Sequence, residues 1–222
     1  MLRICGVSKS FCGVKILDNV SVEIAESSIF GLAGLSGSGK STLLRCIQKL
    51  ETPDSGTIDC DRKVGFMFQD FQLFPHMTVL QNLVYAPALK ASAEEKEKCV
   101  DKAKIILQDL GIEEKASEYP GTLSGGQKQR VALARSLMID LDVLLCDEPT
   151  SGLDVTTMAD VVTLLQSVNQ EFGVTIIIAS HDLDFLTRIS DRIVLLRDGT
   201  IATGIYPKQH DDPIGHLKSY YS

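Results

Sequence analysis

Gly34-Leu35-Ser36-Gly37-Ser38-Gly39-Lys40-Ser41-Thr42 is the stretch that decides the fold of this 222-residue chain. It fits the phosphate-loop pattern G-x-x-x-x-G-K-[ST], a loop in which glycines let successive backbone N–H groups converge on phosphate oxygens. The pattern has meaning only between a strand and a helix. Residues 29–33 are an apolar run of strand length, and residues 42–50 read as a helix opened by the loop. In that context Lys40 supplies a point charge toward the β- and γ-phosphates, and the Ser41 hydroxyl can ligate Mg²⁺. Residues Gly34 to Thr42 are therefore expected to hold the phosphates of a nucleoside triphosphate.

Outward from the loop, Val143-Leu-Leu-Cys-Asp147-Glu148 is an apolar strand that ends in two acids. In a parallel sheet its carboxyl end lies beside the phosphate loop, where Asp147 can hold Mg²⁺ directly or through water. Glu148, one residue farther on, can orient and deprotonate the attacking water. Other strand-length runs fall at 2–7, 20–24, 57–59, 64–68, 175–179 and 193–196, alternating with helical patterns. Pro53-Asp54-Ser55-Gly56 and Arg197-Asp198-Gly199-Thr200 read as turns. From Thr78 to Ile139 the pattern is helical. Ser92 and Glu95 form a capping box, Val100, Ala103, Ile106, Leu107 and Leu110 make a helical stripe, and Gly111 terminates it. The expected fold is α/β: a mixed sheet, antiparallel near the N-terminus and parallel at its core, with an inserted helical subdomain. One domain spans 1–222, with residues 1–77 and 140–222 as the nucleotide-binding core and 78–139 as the helical subdomain.

Leu123-Ser124-Gly125-Gly126-Gln127-Lys128-Gln129-Arg130 precedes an apolar-periodic helix, so Ser124 and the glycines lie at a second helix N-terminus suited to an anion. The stretch resembles the signature motif of the ABC (ATP-binding cassette) ATPases. The resemblance implies ATP as substrate, Mg²⁺ as cofactor, and a homodimer in which Ser124, Gly125, Gly126 and Gln127 of one subunit close over ATP held by the other. It extends in order over nearly the whole chain. Phe11 resembles the aromatic that stacks on adenine, and Gln69 the hinge glutamine that reaches Mg²⁺ and the water. Ser151-Gly152-Leu153-Asp154 resembles the loop crossing the dimer interface, and His181 the histidine that contacts the γ-phosphate.

Within that family, Val64-Gly-Phe-Met-Phe-Gln69-Asp-Phe-Gln-Leu-Phe74-Pro75-His76-Met77-Thr78-Val79 looks like the ATPase subunits of polar amino-acid uptake systems. The resemblance implies that residues 71–79 contact an integral membrane permease, with exposed Phe71, Leu73 and Phe74 supplying apolar contacts. An extracytoplasmic solute-binding protein would act indirectly. The alternative is a membrane-associated ABC ATPase that moves no solute, of the cell-division or lipoprotein-release type. Several positions depart from the subgroup pattern: Glu26-Ser27-Ser28 before the phosphate-loop strand, Gly152 and Val155 at the interface loop, Asp182 after His181, and Ile201-Ala202-Thr203-Gly204 in the final hairpin.

Composition narrows the remaining classes. The formal net charge of −7, with no dominant Lys/Arg block, argues against general nucleic-acid binding. No apolar run approaches the roughly 18 residues of a membrane-spanning helix. The six cysteines form no C-x-x-C pair and read as reduced hydrophobes in apolar surroundings. The expected location is cytoplasmic, peripheral on the inner face of the cell membrane.

Overall fold

A computed structural model describes residues 1–67, 70–89, 91–151 and 155–221, with the side chains of all but 155–157. Two sheets organise the chain. Strands β1 (Leu2–Phe11), β2 (Val14–Ile24) and β4 (Ser55–Asp59) form an antiparallel sheet with β1 in the middle. Leu2, Ile4 and Val7 of β1 and Leu17, Val20, Val22 and Ile24 of β2 are buried, the spacing of half-covered strands. The β1–β2 register slips between Ile4 and Val7, where Gly6 sits at φ 62, the conformation that a bulge of this kind demands.

The second sheet has the order β5-β6-β7-β3-β8-β9, built from Val64–Met67, Val143–Asp147, Thr175–Ser180, Ile29–Ala33, Arg192–Arg197 and Thr200–Ile205 respectively. Every pairing is parallel except β8 with β9. β3 and β7 are buried along their whole length, because helices or the other sheet cover both faces, and their sequences read accordingly as unbroken apolar runs. β3 matches its expected limits, whereas β1, β2, β4, β6, β7 and β8 run one to several residues beyond theirs, since ladder pairing recruits end residues that periodicity does not mark.

Helix α1 (Lys40–Ile47) lies between the two sheets. Its Leu43, Leu44 and Ile47 share a core cluster with Leu2, Ile4 and Leu17 on one side and Leu145, Ile177 and Val194 on the other. It ends earlier than its apolar pattern suggests, since Gln48 caps it and Lys49 turns left-handed at φ 63. The opposite face of the six-stranded sheet carries α2 (Val79–Ala88), α3 (Ala93–Asp109), α4 (Gly125–Leu137), α5 (Val155–Phe172) and α6 (Leu183–Ile189). Leu83, Leu107 and Leu133 of the inserted helices join Leu144, Ile176 and Leu186 in one continuous core. Thr78 with Gln81, Ser92 with Glu95 and Ser124 with Gln127 each form a capping box that fixes a helix start. Gly111 at φ 61 follows the α3 C-cap. A final helix, α7 (Pro213–Lys218), is capped by Asp212.

Two departures from the pattern prove to be local structure. Glu26 pairs with the Met1 amine and Arg62, and Ser27, at φ 52, donates to the Gly173 carbonyl. Asp182 is the N-cap of α6, accepting from the Phe185 N–H at 3.0 Å, a bond that a short carboxylate makes well. The cysteine expectation needs correction. Cys46, Cys60 and Cys146 are buried, but Cys5 is exposed on an outward position of β1 and Cys12 is exposed in the β1–β2 turn.

Candidate nucleotide site

The parallel register brings the functional side chains to one edge. Ala33 pairs with Ser180 and Asp147 with Ala179, so Gly34, Glu148 and His181 all leave the sheet at the carboxyl ends of neighbouring strands. The loop that follows β3 is glycine-determined at several points. Gly37 and Gly39 sit at φ 83 and φ 105, and a Cβ on Gly34 would stand 2.5 Å from the Leu196 carbonyl oxygen. A Cβ on Gly39 would meet the Ile16 carbonyl at 2.8 Å, so the antiparallel sheet presses directly on the loop. Gly39 caps α1 without offering a side-chain oxygen, which leaves the first-turn N–H groups to an anion.

Lys40 is buried, and its ammonium is held inside the loop. Nζ donates to the Gly34 carbonyl at 2.7 Å and the Leu35 carbonyl at 3.1 Å, and lies 3.5 Å from Glu148 Oε1. Glu148 Oε2 meets His181 Nδ1 at 2.9 Å and accepts from the Ser180 hydroxyl at 3.3 Å. Its backbone stands at φ 49, a left-handed conformation uncommon for a non-glycine residue and frequent at functional sites. Its N–H is fixed on the Ala179 carbonyl at 2.9 Å. The lysine of the phosphate loop and the carboxylate of the neighbouring strand therefore face each other.

Asp147 fits a divalent cation. Its Oδ1 is buried and finds no hydrogen-bond partner among the described residues, an arrangement costly for a carboxylate unless a ligand completes it. Burial pushes its carboxyl above the ordinary range, against the downward pull of the Ser41 hydroxyl, with the charge of Glu148 raising it further and Lys40 and Arg45 lowering it. An oxygen pair of this kind, one hydroxyl and one carboxylate, is the chemistry that Mg²⁺ takes.

Phe11 is exposed at the β1–β2 turn, with the Lys9 ammonium 5.1 Å from its ring centroid. Ser124 is the N-cap of α4, and its hydroxyl accepts from the Gln127 N–H at 3.3 Å while the Gln127 side chain accepts from the Ser124 N–H at 2.9 Å. These two bonds hold the signature turn rigid and leave Gly125 and Gly126 at the open helix end. Ser124 is expected at a helix start, but the box itself is not among the expectations, although its S-x-x-Q spacing could have marked it. Farther along α4, the buried Gln129 ties the helix to the segment after β6, its Nε2 donating to the Pro149 carbonyl at 3.1 Å. Gln69, Gly152, Leu153 and Asp154 lie outside the described residues.

The segment expected to face a membrane subunit is more folded in than its sequence suggests. Phe71 and Leu73 are half-buried against the main core, and only Phe74 is exposed. Asn82, buried on α2, stitches the turn: its Oδ1 accepts from the Phe74 N–H at 2.8 Å, and its Nδ2 donates to the carbonyls of Phe74, Met77 and Thr78. Phe74 packs edge-on against Tyr85 with ring centroids 5.4 Å apart. Beside it opens a groove of about 610 Å³ lined by His76, Met77, Gln81, Val84, Tyr85 and Leu89. Among the described residues no helix is long and apolar enough to cross a membrane.

A phosphate loop, a facing acid pair and a second glycine-rich helix start, on this two-sheet frame, define an ATP-binding cassette. The sequence profile of the ABC transporter family matches residues 17–151, and the chain belongs to that family. It binds ATP and is an ATPase of the ABC type. It is 39% identical to the arginine transport ATP-binding protein ArtM of Bacillus subtilis, over 94% of this chain and 92% of that one. It is 38% identical to the glutamine transport ATP-binding protein GlnQ of Escherichia coli, over 91% and 90% respectively. A solved dimeric bacterial ABC transporter cassette superposes with a TM-score of 0.81 at 32% identity, covering 95% of this chain and 100% of that one.

Proposed function

We propose that this chain is the ATP-hydrolysing subunit of an importer for a polar amino acid, acting as a homodimer bound beneath two permease subunits at the inner face of the cell membrane. The observation that carries the reading is that relatives named for arginine and glutamine transport align with this chain almost from end to end. The groove beside Phe74 supports it, since a short apolar-faced helix of a permease has a place to lie there. A solute-binding protein outside the membrane would deliver the solute to the permease.

The proposed roles draw on the site geometry and on the family resemblance. The N–H groups at the α1 start and the Lys40 ammonium bind the phosphates, and Phe11 stacks on the base. Ser41 and Asp147, with Gln69, would hold Mg²⁺, which would supply positive charge to offset that of the phosphates. Glu148 takes the proton of the attacking water, and His181 orients Glu148 and reaches the γ-phosphate. Ser124, Gly125, Gly126 and Gln127 of the second subunit close the site. Residues 78–139 act as the helical subdomain, moving with the permease against the core formed by 1–77 and 140–222.

The test is to copurify the chain with its membrane subunits, reconstitute them in vesicles, and measure ATP-driven uptake of arginine, glutamine and an apolar amino acid. Uptake of a polar amino acid that stops in Lys40→Ala is expected. ATPase activity with no uptake of any amino acid would overturn the assignment.

A further inference from the structure

Arg135 sits in the last turn of α4, within a run whose neighbours Ala132, Leu133, Ala134, Ser136 and Leu137 are all buried. Burial draws its guanidinium below its ordinary pKa, yet no carboxylate pairs with it among the described residues. Its two terminal nitrogens donate instead to two consecutive carbonyls, one to Gln72 O at 2.7 Å and the other to Phe71 O at 2.9 Å.

Those carbonyls belong to an unusual piece of backbone. Phe71 stands at φ 59 and Gln72 at φ 43, both left-handed and neither glycine, and the Gln72 N–H closes a tight turn on the Asp70 carbonyl at 2.7 Å. A three-residue turn about a centre of positive φ is the rarer, strained kind, and a bulky aromatic at that centre makes it more so. Both carbonyls lie within reach of one guanidinium, so together they form a small electronegative fork. A planar guanidinium matches that fork with two parallel N–H groups, whereas an ammonium can address it only as a point.

We propose that Arg135 is a positioning residue that locks the left-handed Phe71–Gln72 turn and thereby aims Phe74 toward its partner. The lock joins two ends of one rod. Ser124 caps the start of α4, and Arg135 lies roughly 16 Å farther along the same helix. Asn82 holds the turn from the other side through Phe74, Met77 and Thr78, so the segment is pinned by polar side chains on two different helices, the buried Asn82 and the half-buried Arg135. A tilt of α4 would in this way be carried to the exposed aromatic. Only this consequence rests on the proposed docking of residues 71–79; the lock itself is a property of the isolated chain.

The chain contains no tryptophan, so Phe74→Trp introduces a single tryptophan at the segment, excited selectively beyond the tyrosine band. In that background, Arg135→Ala and Arg135→Lys are compared by acrylamide quenching and by hydrogen exchange of the amides near 71–74. Loss of two charge-assisted bonds should speed local exchange by about 10-fold or more, with quenching rising in step. Exchange in β3 and β7 and the affinity for ATP should change less than twofold. Lysine should fall on the alanine side, since it keeps the charge but not the fork, and it carries the test if the alanine variant fails to fold. Unchanged quenching and exchange near residue 74 would overturn the lock, as would acceleration of equal size in β3 and β7. A third arm uses membrane subunits copurified with the wild-type chain: Arg135→Lys should lower partner-stimulated turnover several-fold with basal kcat and KM unchanged. If no membrane subunit copurifies with the wild type, the docking reading fails while the exchange result still decides the lock.

Discussion

Lys40 Nζ lies 3.5 Å from Glu148 Oε1, and both side chains are largely buried. The cation proposed to hold the phosphates thus faces the proposed base, and a γ-phosphate must share or displace that partner. Glu148→Gln keeps the shape and removes the charge. ATP should then bind a few-fold tighter, a gain of about 1 kcal/mol, while hydrolysis slows by roughly 10²–10⁴-fold. Fluorescent-nucleotide titration beside phosphate release checks both halves. Hydrolysis near the normal rate would remove Glu148 from the role of base.

Lys40→Ala should abolish ATP binding. It should also cost stability with no nucleotide added, because Glu148 would keep only His181 and Ser180 for its buried carboxylate. Leaving a partly buried charge without its counter-ion should cost about 1–2 kcal/mol, or roughly 3–6 °C in Tm for a chain of this size. Glu148→Gln added to Lys40→Ala should recover at least half of that loss. Strictly additive Tm shifts in calorimetry would mean that the two side chains do not sense each other.

A site completed by a second copy predicts complementation. Ser124→Arg should leave the chain's own phosphate loop able to bind ATP but block turnover. It also breaks the box with Gln127, so a stability loss of about 1 kcal/mol is expected and serves as an internal control. Mixed with Lys40→Ala, it should restore one composite site and ATP-dependent crosslinking above either variant alone. Identical behaviour of the mixture and the two parents would point to a self-contained monomeric site.

The capping role of Asp182 separates structure from chemistry next to His181. Asp182→Ala should lower stability by about 1 kcal/mol, or roughly 2–4 °C in Tm, and Asp182→Asn should restore most of it. ATPase activity at low temperature should follow neither change. A large activity loss in Asp182→Asn with Tm intact would assign the carboxylate a chemical role.

What could be read in advance divides along physical lines. The phosphate loop, the acid pair after β6 and the signature turn were legible because each needs special residues at fixed spacing: glycines at positive φ, a hydroxyl after a lysine, a capping oxygen before a helix. Most of the strand order and the helical insert followed from periodicity, whereas the helices at Val155–Phe172, Leu183–Ile189 and Pro213–Lys218 were not read. Contacts made only in three dimensions were not legible. Nothing in the sequence marks the Lys40–Glu148 approach, the Asn82 knot, or the fork between Arg135 and a left-handed turn made without glycine. The exposure of Phe71 and Leu73 was misjudged for a related reason. An aromatic cluster beside a proposed interface can as easily serve the core beneath it, and these two side chains do.

Phe74 is the exposed aromatic of that cluster, packed edge-on against Tyr85 at the lip of the groove. Its backbone is fixed by Asn82, so removing the side chain should not unfold the turn, and the buried core loses little. Phe74→Ala should therefore bind and hydrolyse ATP like the parent chain when tested alone. At an interface the same truncation should remove an aromatic anchor whose loss typically costs about 2 kcal/mol or more, roughly 30-fold in affinity. Assembly with the membrane subunits, partner-stimulated ATPase and solute uptake should then fall together, whereas Phe74→Leu should retain part of each. If assembly and uptake survive Phe74→Ala unchanged, the permease docks elsewhere on the chain, and the groove lined by His76, Met77, Val84 and Leu89 is not its seat.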